Sequence, residues 1–564
     1  MKIKPLFDDC EEEINISTIL TKYGVDDVDE YLKPTGKYIE QPCLYINMKE
    51  GVQAFKYHYL QNDKAYILSD SGDSDGILST TIIYRYMKLM NPKWNIKILI
   101  HDGKQRGLDD KKLFAKCVNE PRPLLIIPDS GTNDYEQTKK LTELGTTVIV
   151  LDHHNPTTPI VDGILINNQI GDVDKHGSGA MVTHHFCRAL DIEFGTKYAK
   201  NFIDLASLSI MSDGCDIRSM QNRTYMYYGI MGGLKRINNK FLKLMMTELI
   251  KDDYIQKDIN FTLVPKINAT CRGDNQTLKQ DMICAFCGIY DKEDVRLLDI
   301  LSQMRTAHTN QQNAVKKFIK DNFEDIDKSN DIIIHISDKV PRTFSGLVAG
   351  RIKDMCDNKP TIISYDFKSS DTSIGSLRSD IPLQSILNDC EYVDWCKGHD
   401  CQAGVQFKKE NINDIIQYIN SLGIDYEGFK TVISSMMVKH IPTNLFSLLE
   451  PYKQLFDTNK IINKYHIQPF TIYNTDIRTL GKGNTIKFTS NGLDFLMFFT
   501  SNEMKERLYM NSKDKVKLRI ECLVELGINE YMGRKTPQAI IQEFECVKVD
   551  EELLDFDSIW GLTD

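Results

Sequence analysis

The chain has 564 residues, 41% hydrophobic and 26% charged, too long for one core and globular in composition; about three or four domains are expected and wholesale disorder is excluded. A net charge of −10 excludes a protein that coats duplex DNA non-specifically, so any nucleic-acid contact should be a local groove. No apolar run approaches the roughly eighteen residues of a membrane span, Glu11, Glu12 and Glu13 sit where an export signal would be basic or apolar, and the fourteen scattered cysteines fit reduced thiols in a cytoplasmic protein.

Residues 1–44 read as an N-terminal extension. From 45 to 218 short apolar runs alternate with amphipathic ones: strands at 65–69, 96–101, 124–128 and 147–151, and helices at 76–90, 109–118 and 133–144. Crossovers of that length imply a parallel sheet covered on both faces. Helical patterns at 179–190 and 197–211 follow, then a helical connector over 219–328. A smaller α/β domain over 329–425 opens with a strand at 332–336, a helix at 344–356 and a strand at 361–365. A linker is expected at 426–464, and the segment 465–548, with strands at 485–489, 493–499 and 516–524, reads as a β-barrel. The tail 549–564 mixes acids with Leu553, Leu554, Phe556 and Trp560.

Acids and histidines fall just after successive strands of the first domain. Asp70, Asp73 and Asp75 follow the first, Asp129 follows Pro128, and Asp152, His153 and His154 close the fourth. In an open parallel sheet the carboxyl ends of strands share one edge, where ligands bind. One such Asp is ordinarily a helix cap or turn residue. Several within a few ångströms would repel one another unless cations neutralise them. Carboxylate and imidazole together suit Mn²⁺ or Mg²⁺, and two ions about 3.5–4 Å apart can flank a phosphoryl oxygen and an attacking water. Asp213, at a predicted helix end, is the remote ligand of this set. Gly72 and Gly76 fit close backbone approach at such a rim. His184 and His185 lie in a helical run and are expected in the core or on the surface. Cys284 and Cys287 are read as an apolar helix face, and Cys396, His399 and Cys401 lack a zinc spacing.

Four ordered motifs, Ser69-Asp70-Ser71-Gly72-Asp73-Ser74-Asp75-Gly76, Pro128-Asp129-Ser130-Gly131, Leu151-Asp152-His153-His154 and Met211-Ser212-Asp213, resemble those of the DHH phosphoesterase superfamily. Gly375-Ser376-Leu377-Arg378-Ser379 and the glycine-flanked loop from Gly398-His399 to Gly404 resemble the associated DHHA1 domain. Asp204-Leu205-Ala206 and the segment from Pro265 to Arg272 resemble the RecJ branch, and the β-rich segment from Tyr465 its OB fold. The fold class implied is α/β: a DHH parallel-sheet domain, a helical connector, a smaller DHHA1 domain and an OB-fold barrel.

The resemblance implies a 5′→3′ exonuclease that degrades single-stranded DNA to nucleotides with two divalent cations, Mn²⁺ or Mg²⁺, in recombination or repair. It makes Asp73, Asp75, Asp129, His153 and Asp213 metal ligands, with Asp129 bridging, and places His154 beside them against substrate. Asp152 would accept an imidazole proton, and Asp70 would support the ligands from behind. Arg378, His399, Ser376 and Gly398 would hold backbone phosphates, and Arg272 a 5′ phosphate. Lys104 and Arg106 stand where relatives carry a phosphate-binding arginine segment. Ser69 and Ser71 stand where relatives carry His and Asp, and Lys397-Gly398 replaces a double glycine, adding a candidate phosphate contact. In the barrel, Phe470, Tyr473, Lys482, Lys487, Phe488 and Arg519 are available to a strand-binding groove. The expected partner is single-stranded DNA, with the chain a monomer; the acidic tail reads as a disordered, solubilising end, the alternative being a site for a replication or repair protein or a cover for the basic groove. The competing readings are a phosphodiesterase of short oligonucleotides or cyclic dinucleotides, and a catalytically weak replication scaffold.

Overall fold

The computed structural model describes residues 4–7, 15–101, 107–119, 123–157, 160–250, 254, 256–356, 358–423, 432–438, 441, 444–456, 461, 464–481, 483–498, 500–531 and 534–549. They divide into two units. One is Asp29–Tyr426; the other joins Met1–Val28 to Glu427–Asp564. Among the described residues no helix is long and apolar enough to cross a membrane.

The smaller unit begins with β1 (Lys4–Phe7). The larger unit carries β2 (Ala65–Ser69), β3 (Ile96–Ile100), β4 (Leu124–Pro128), β5 (Thr147–Asp152) and β6 (Ile164–Asn167), a wholly parallel sheet in the order β3-β2-β4-β5-β6. β2 and β4 are buried at every position, as expected of strands covered on both faces. Leu68, Leu125, Ile127 and Val150 form a core with Leu108, Leu113 and Leu141 on one face. On the other face the helices Ser74–Met90 and Gly179–Phe194 pack together. β6 has only four residues and is absent from the elements expected above.

The helical connector follows, ending in the long helix Asp294–Asn322. A second sheet contains β7 (Ile333–Ser337), β8 (Thr361–Tyr365), β9 (Thr372–Arg378), β10 (Val393–His399) and β11 (Gln402–Lys408), in the order β10-β11-β9-β8-β7. Only β7 and β8 are parallel. One face buries Ile362, Leu377, Val405 and Phe407 against Ile415 and Ile419. On the other, the helix Ser345–Met355 covers Ile333 and Ile363 with Val348, Ala349 and Ile352.

In the smaller unit, β12 (Val432–Val438), β13 (Lys464–Tyr473), β14 (Arg478–Leu480), β15 (Thr485–Ser490), β16 (Leu493–Phe498), β17 (Lys517–Tyr531) and β18 (Arg534–Lys548) follow β1. They pair as one row, β1-β12-β13-β17-β18-β16-β15-β14. The segment expected as a linker thus supplies β12, and β1 joins it in parallel, Lys4 opposite Val432. The row curls. β13 and β16 are third neighbours, about 14 Å apart in a flat sheet, yet the rings of Phe470 and Phe495 are 5.4 Å apart. Phe488, buried, stacks on Phe495 at 5.0 Å and is core rather than groove. Lys487 is paired with Asp494 at 2.6 Å, Arg519 is exposed, and Lys482 and the tail 550–564 lie outside the described residues.

Candidate metal centre

The loop after β2 is built by its own acids. Asp70 accepts the Gly72 N–H at 3.0 Å, and Asp73 caps the helix Ser74–Met90 by accepting from Gly76 N at 3.4 Å. A side chain at Gly76 would place Cβ 1.9 Å from the Asp70 carbonyl oxygen, so only glycine lets the helix start so close to the strand end. The connector helix Val264–Arg272 holds the same loop: Asn268 Oδ1 accepts from Ser74 N at 3.0 Å, and Arg272 Nε donates to Gly72 O at 3.3 Å.

Asp75 then reaches across to a second helix. Its carboxylate accepts from Gly179 N at 2.8 Å and Ala180 N at 2.9 Å, at the start of Gly179–Phe194, and from Ser209 Oγ at 2.5 Å. Asp129, after β4, has φ of +64°, an uncommon backbone for a residue other than glycine. Its carboxylate lies against Gly179, where an added Cβ would be 2.2 Å from Oδ1. His153 Nε2 is 3.3 Å from Asp129 Oδ1 and 3.7 Å from Asp75 Oδ2, and its Nδ1 is 3.8 Å from Asp213 Oδ2. Asp129 Oδ1 is buried and receives no hydrogen bond. Ligand atoms of Asp75, His153 and Asp213 lie within 4.8 Å of one another, as do those of Asp129, Asp152, His153 and His154. Four elements distant in sequence therefore converge on one rim.

Asp152 is spent on support. Its Oδ2 accepts from Thr132 N at 3.1 Å and Thr132 Oγ1 at 2.7 Å; its Oδ1 accepts from His153 N at 2.8 Å and faces His154 Nδ1 at 2.7 Å. Asp73 belongs to neither compact set, although its field reaches Asp129, His153 and Asp213.

The electrostatics follow from crowding acids out of water. Burial, reinforced by Asp75 and Asp73, pushes Asp129 well above the usual carboxylate range. Burial also pushes Asp213 up to about 6, against the pull of His153. Burial works to lower both imidazoles, but Asp213 and Asp75 hold His153 above its ordinary value, and Asp152 does so for His154. Asp152 is itself buried, and the His154 ring beside it holds it well below the usual range all the same.

Burial, and with it the field of the Arg272 charge, pushes the Arg378 guanidinium down to about 10. Arg378 lies over Gly346, whose added Cβ would be 2.4 Å from Nη2, and among the described residues no carboxylate pairs with it. Ser376 is buried, its hydroxyl 2.9 Å from that of Ser345. Gly398 has φ of +139° and approaches Gln402 O so closely that a Cβ would be 2.8 Å away. The backbone of His399 ends β10, but its side chain lies outside the described residues, as do Lys104 and Arg106.

Gly179, Ser209, Asn268 and Asn167 escape sequence reasoning. Asn167 Nδ2 donates to Thr132 Oγ1 and to His154 O, both at 2.9 Å, and it ends β6 as the acids end other strands, which is a legible signal. Gly177-Ser178-Gly179 before a helix is a weaker one. His184 and His185 are core residues; burial pushes His184 down to about 3, and it meets Tyr225 OH and Ala199 O at 2.8 and 2.9 Å. Cys390 and Cys396 belong to the apolar core of the second sheet.

The open parallel sheet thus gathers buried carboxylates and imidazoles at the carboxyl ends of its strands, where such sheets bind ligands, and helices join it to a second, mixed sheet. Residues 64–210 match the family model described as DHH family, N-terminal domain. The chain is similar to the putative SPbeta prophage-derived single-strand DNA-specific exonuclease YorK of Bacillus subtilis, with 26% identity over 96% of this chain and 97% of that protein. It is also similar to the single-stranded-DNA-specific exonuclease RecJ of Bacillus subtilis, at 24% identity over 96% of this chain and 69% of that one. Among solved structures, RecJ from Thermus thermophilus in complex with Mn²⁺ aligns with a TM-score of 0.74 at 16% identity, covering 94% of this chain and 75% of that one. The chain is RecJ-like in sequence and fold.

Proposed function

We propose that this protein is a metal-dependent exonuclease that hydrolyses single-stranded DNA from the 5′ end, using two divalent cations, Mn²⁺ or Mg²⁺. The observation that carries this reading is Asp129, a buried carboxylate whose Oδ1 lacks a donor and sits among Asp75, His153 and Asp213. A carboxylate and imidazole donor set with an unsatisfied buried oxygen fits hard divalent cations. The relatives named as single-strand-specific exonucleases, similar across nearly the whole chain, support the substrate class.

Asp73, Asp75, Asp129, His153 and Asp213 would hold the cations, with Asp129 between them. When bound, the cations supply Lewis-acid activation of water and offset charge developing on the phosphoryl oxygens. Asp75 is kept in place by the two N–H groups of the facing helix and Asp129 by its fit against Gly179. His154, held at Nδ1 by Asp152, would lie beside the cations against substrate, and its raised proton affinity suits it to donate to a phosphoryl oxygen. Arg378 would hold a backbone phosphate and Arg272 the 5′ phosphate, anions that offset the repulsion between the two charges. Ser376, Gly398 and His399 complete that grip, and the curled sheet of the smaller unit is an OB-type platform for the strand. A role in recombination or repair belongs to the same reading.

Digestion of end-labelled single strands in Mn²⁺, with and without a 5′ phosphate, tests reaction, substrate and direction together. Stepwise loss of nucleotides from the 5′ end is expected, abolished by Asp129→Ala. Wild-type turnover in Asp129→Ala, or no metal-dependent cleavage by the intact protein, overturns the reading.

A further inference from the structure

The second sheet has one face that the fold leaves partly open. The helix Ser345–Met355 covers β7 and β8 and reaches Arg378 and Ser376 of β9, but stops short of β11 and β10. Register places Ser376, Gly404 and Lys397 in one row across three neighbouring strands, all on this face. Lys397 therefore stands two strand spacings, about 10 Å, from Ser376.

A β-bulge puts an aromatic residue beside it. The register of β10 shifts between Val393 and Trp395, and Val393 and Cys396 both enter the apolar core although three positions apart. The extra residue turns Asp394 and Trp395 outward together, a re-aiming that bulges commonly perform near binding sites. Trp395 is half-buried and lies against Gly404, where an added Cβ would be 3.4 Å from its Cζ3. Lys397 Nζ stands 5.9 Å from the indole centroid. Asp394, the one acid the bulge adds, is held aside by Gln406 Nε2 at 3.1 Å. Among the described residues the face thus runs from Arg378, with no carboxylate paired to it, past Gly404, to an aromatic ring beside an ammonium that makes no ion pair.

We propose that Trp395 and Lys397 form a subsite for single-stranded nucleic acid, the indole stacking on a base and the ammonium holding a phosphate, which continues the strand path beyond Arg378. The charged groups at the two ends of this face, Arg378 and Lys397, are cationic, with Asp394 turned to Gln406, and an aromatic ring beside a basic group is what sequence-tolerant strand binding requires. This rests on the exonuclease reading for the direction of the path, but it is tested by binding alone.

The test is fluorescence anisotropy of a fluorescein-labelled oligothymidylate on the full-length protein in EDTA, over a range of salt. Trp395→Ala is expected to weaken binding about 5- to 100-fold, the loss of one stacked base, and Trp395→Phe to retain most of the affinity. Lys397→Ala is expected to flatten the dependence of log affinity on log salt by about 0.7, one phosphate contact on a single strand. Should Trp395→Ala misfold by circular dichroism, Trp395→Phe and Lys397→Ala carry the test. Wild-type affinity in Trp395→Ala and an unchanged salt slope in Lys397→Ala overturn the subsite, and so does a Phe variant as weak as the Ala variant. A wild-type protein that binds the strand through these residues but cleaves nothing in Mn²⁺ overturns the exonuclease reading and leaves the subsite standing.

Discussion

Gly179→Ala replaces one hydrogen with a methyl group, and the structure says where it goes. The new Cβ would lie 2.2 Å from Asp129 Oδ1 and 2.8 Å from both Cβ and Cγ of that residue, inside any tolerable contact. Asp129 is held at φ +64° between β4 and Gly131 and has little freedom to retreat. The helix start would have to move instead, and Gly179 N and Ala180 N, which orient Asp75, would move with it. Overpacking of this kind costs about 1–3 kcal/mol of stability. Displacing the groups that orient metal ligands typically weakens metal binding by about 10- to 100-fold. Gly195→Ala is the control: its φ is +65° with nothing within 4 Å, so it should lose stability through backbone strain while binding Mn²⁺ as wild type does. Isothermal titration with Mn²⁺, alongside thermal unfolding in EDTA, separates the two effects. Wild-type Mn²⁺ affinity in a folded Gly179→Ala protein would refute the claim that this contact sets the geometry of the site.

The acid cluster makes metal-free stability depend on pH in an unusual direction. Asp213 is raised from 3.8 to about 6, so the folded state binds its proton more tightly than the unfolded chain, and its contribution to stability falls as pH rises through that window. His153, also raised, contributes stability below its unfolded value that is lost as pH rises through the folded one. Burial lowers His184 and His185, whose contributions run the other way over the same range, so the test is a comparison: in EDTA, Asp213→Asn, which mimics the protonated acid, should gain thermal stability relative to wild type between about pH 5 and about pH 7.5, and a difference that stays constant would contradict the electrostatics. Asp152→Asn removes the charge that holds the His154 proton, so the His154 titration followed by NMR should move down and turnover should fall about 10- to 100-fold. Arg378→Ala should weaken binding of a single strand and reduce the salt slope by about 0.7, measured by anisotropy, whereas an unaltered slope would remove Arg378 from the phosphate path.

The strands that carry the rim were legible because β2, β4 and β5 are buried on both faces and so read as unbroken apolar runs, with the acids directly after them. β6 was not, since four residues hold no period, and neither were β10 and β11, whose run Asp394 to Gln406 mixes core and open-face residues around a bulge. The ligand-bearing acids could be nominated from position, but what orients them could not. Gly179, Ser209 and Asn268 act through contacts spanning some 100 to 200 residues, at Asp75 and Ser74, and nothing local in sequence announces them. Likewise, β12 lay in a segment read as a linker because its partner β1 is at the far end of the chain.

That last pairing has a consequence for biogenesis. Bringing Lys4–Phe7 beside Val432–Val438 closes a loop of more than four hundred residues, an entropic cost that falls on one edge of one sheet. During translation the larger unit, Asp29–Tyr426, emerges whole before β12 exists, so it can fold while the first strand waits without a partner. The waiting segment is an unpaired edge throughout that interval, and the appearance of Val432–Val438, more than four hundred residues later, determines when Lys4–Phe7 can pair.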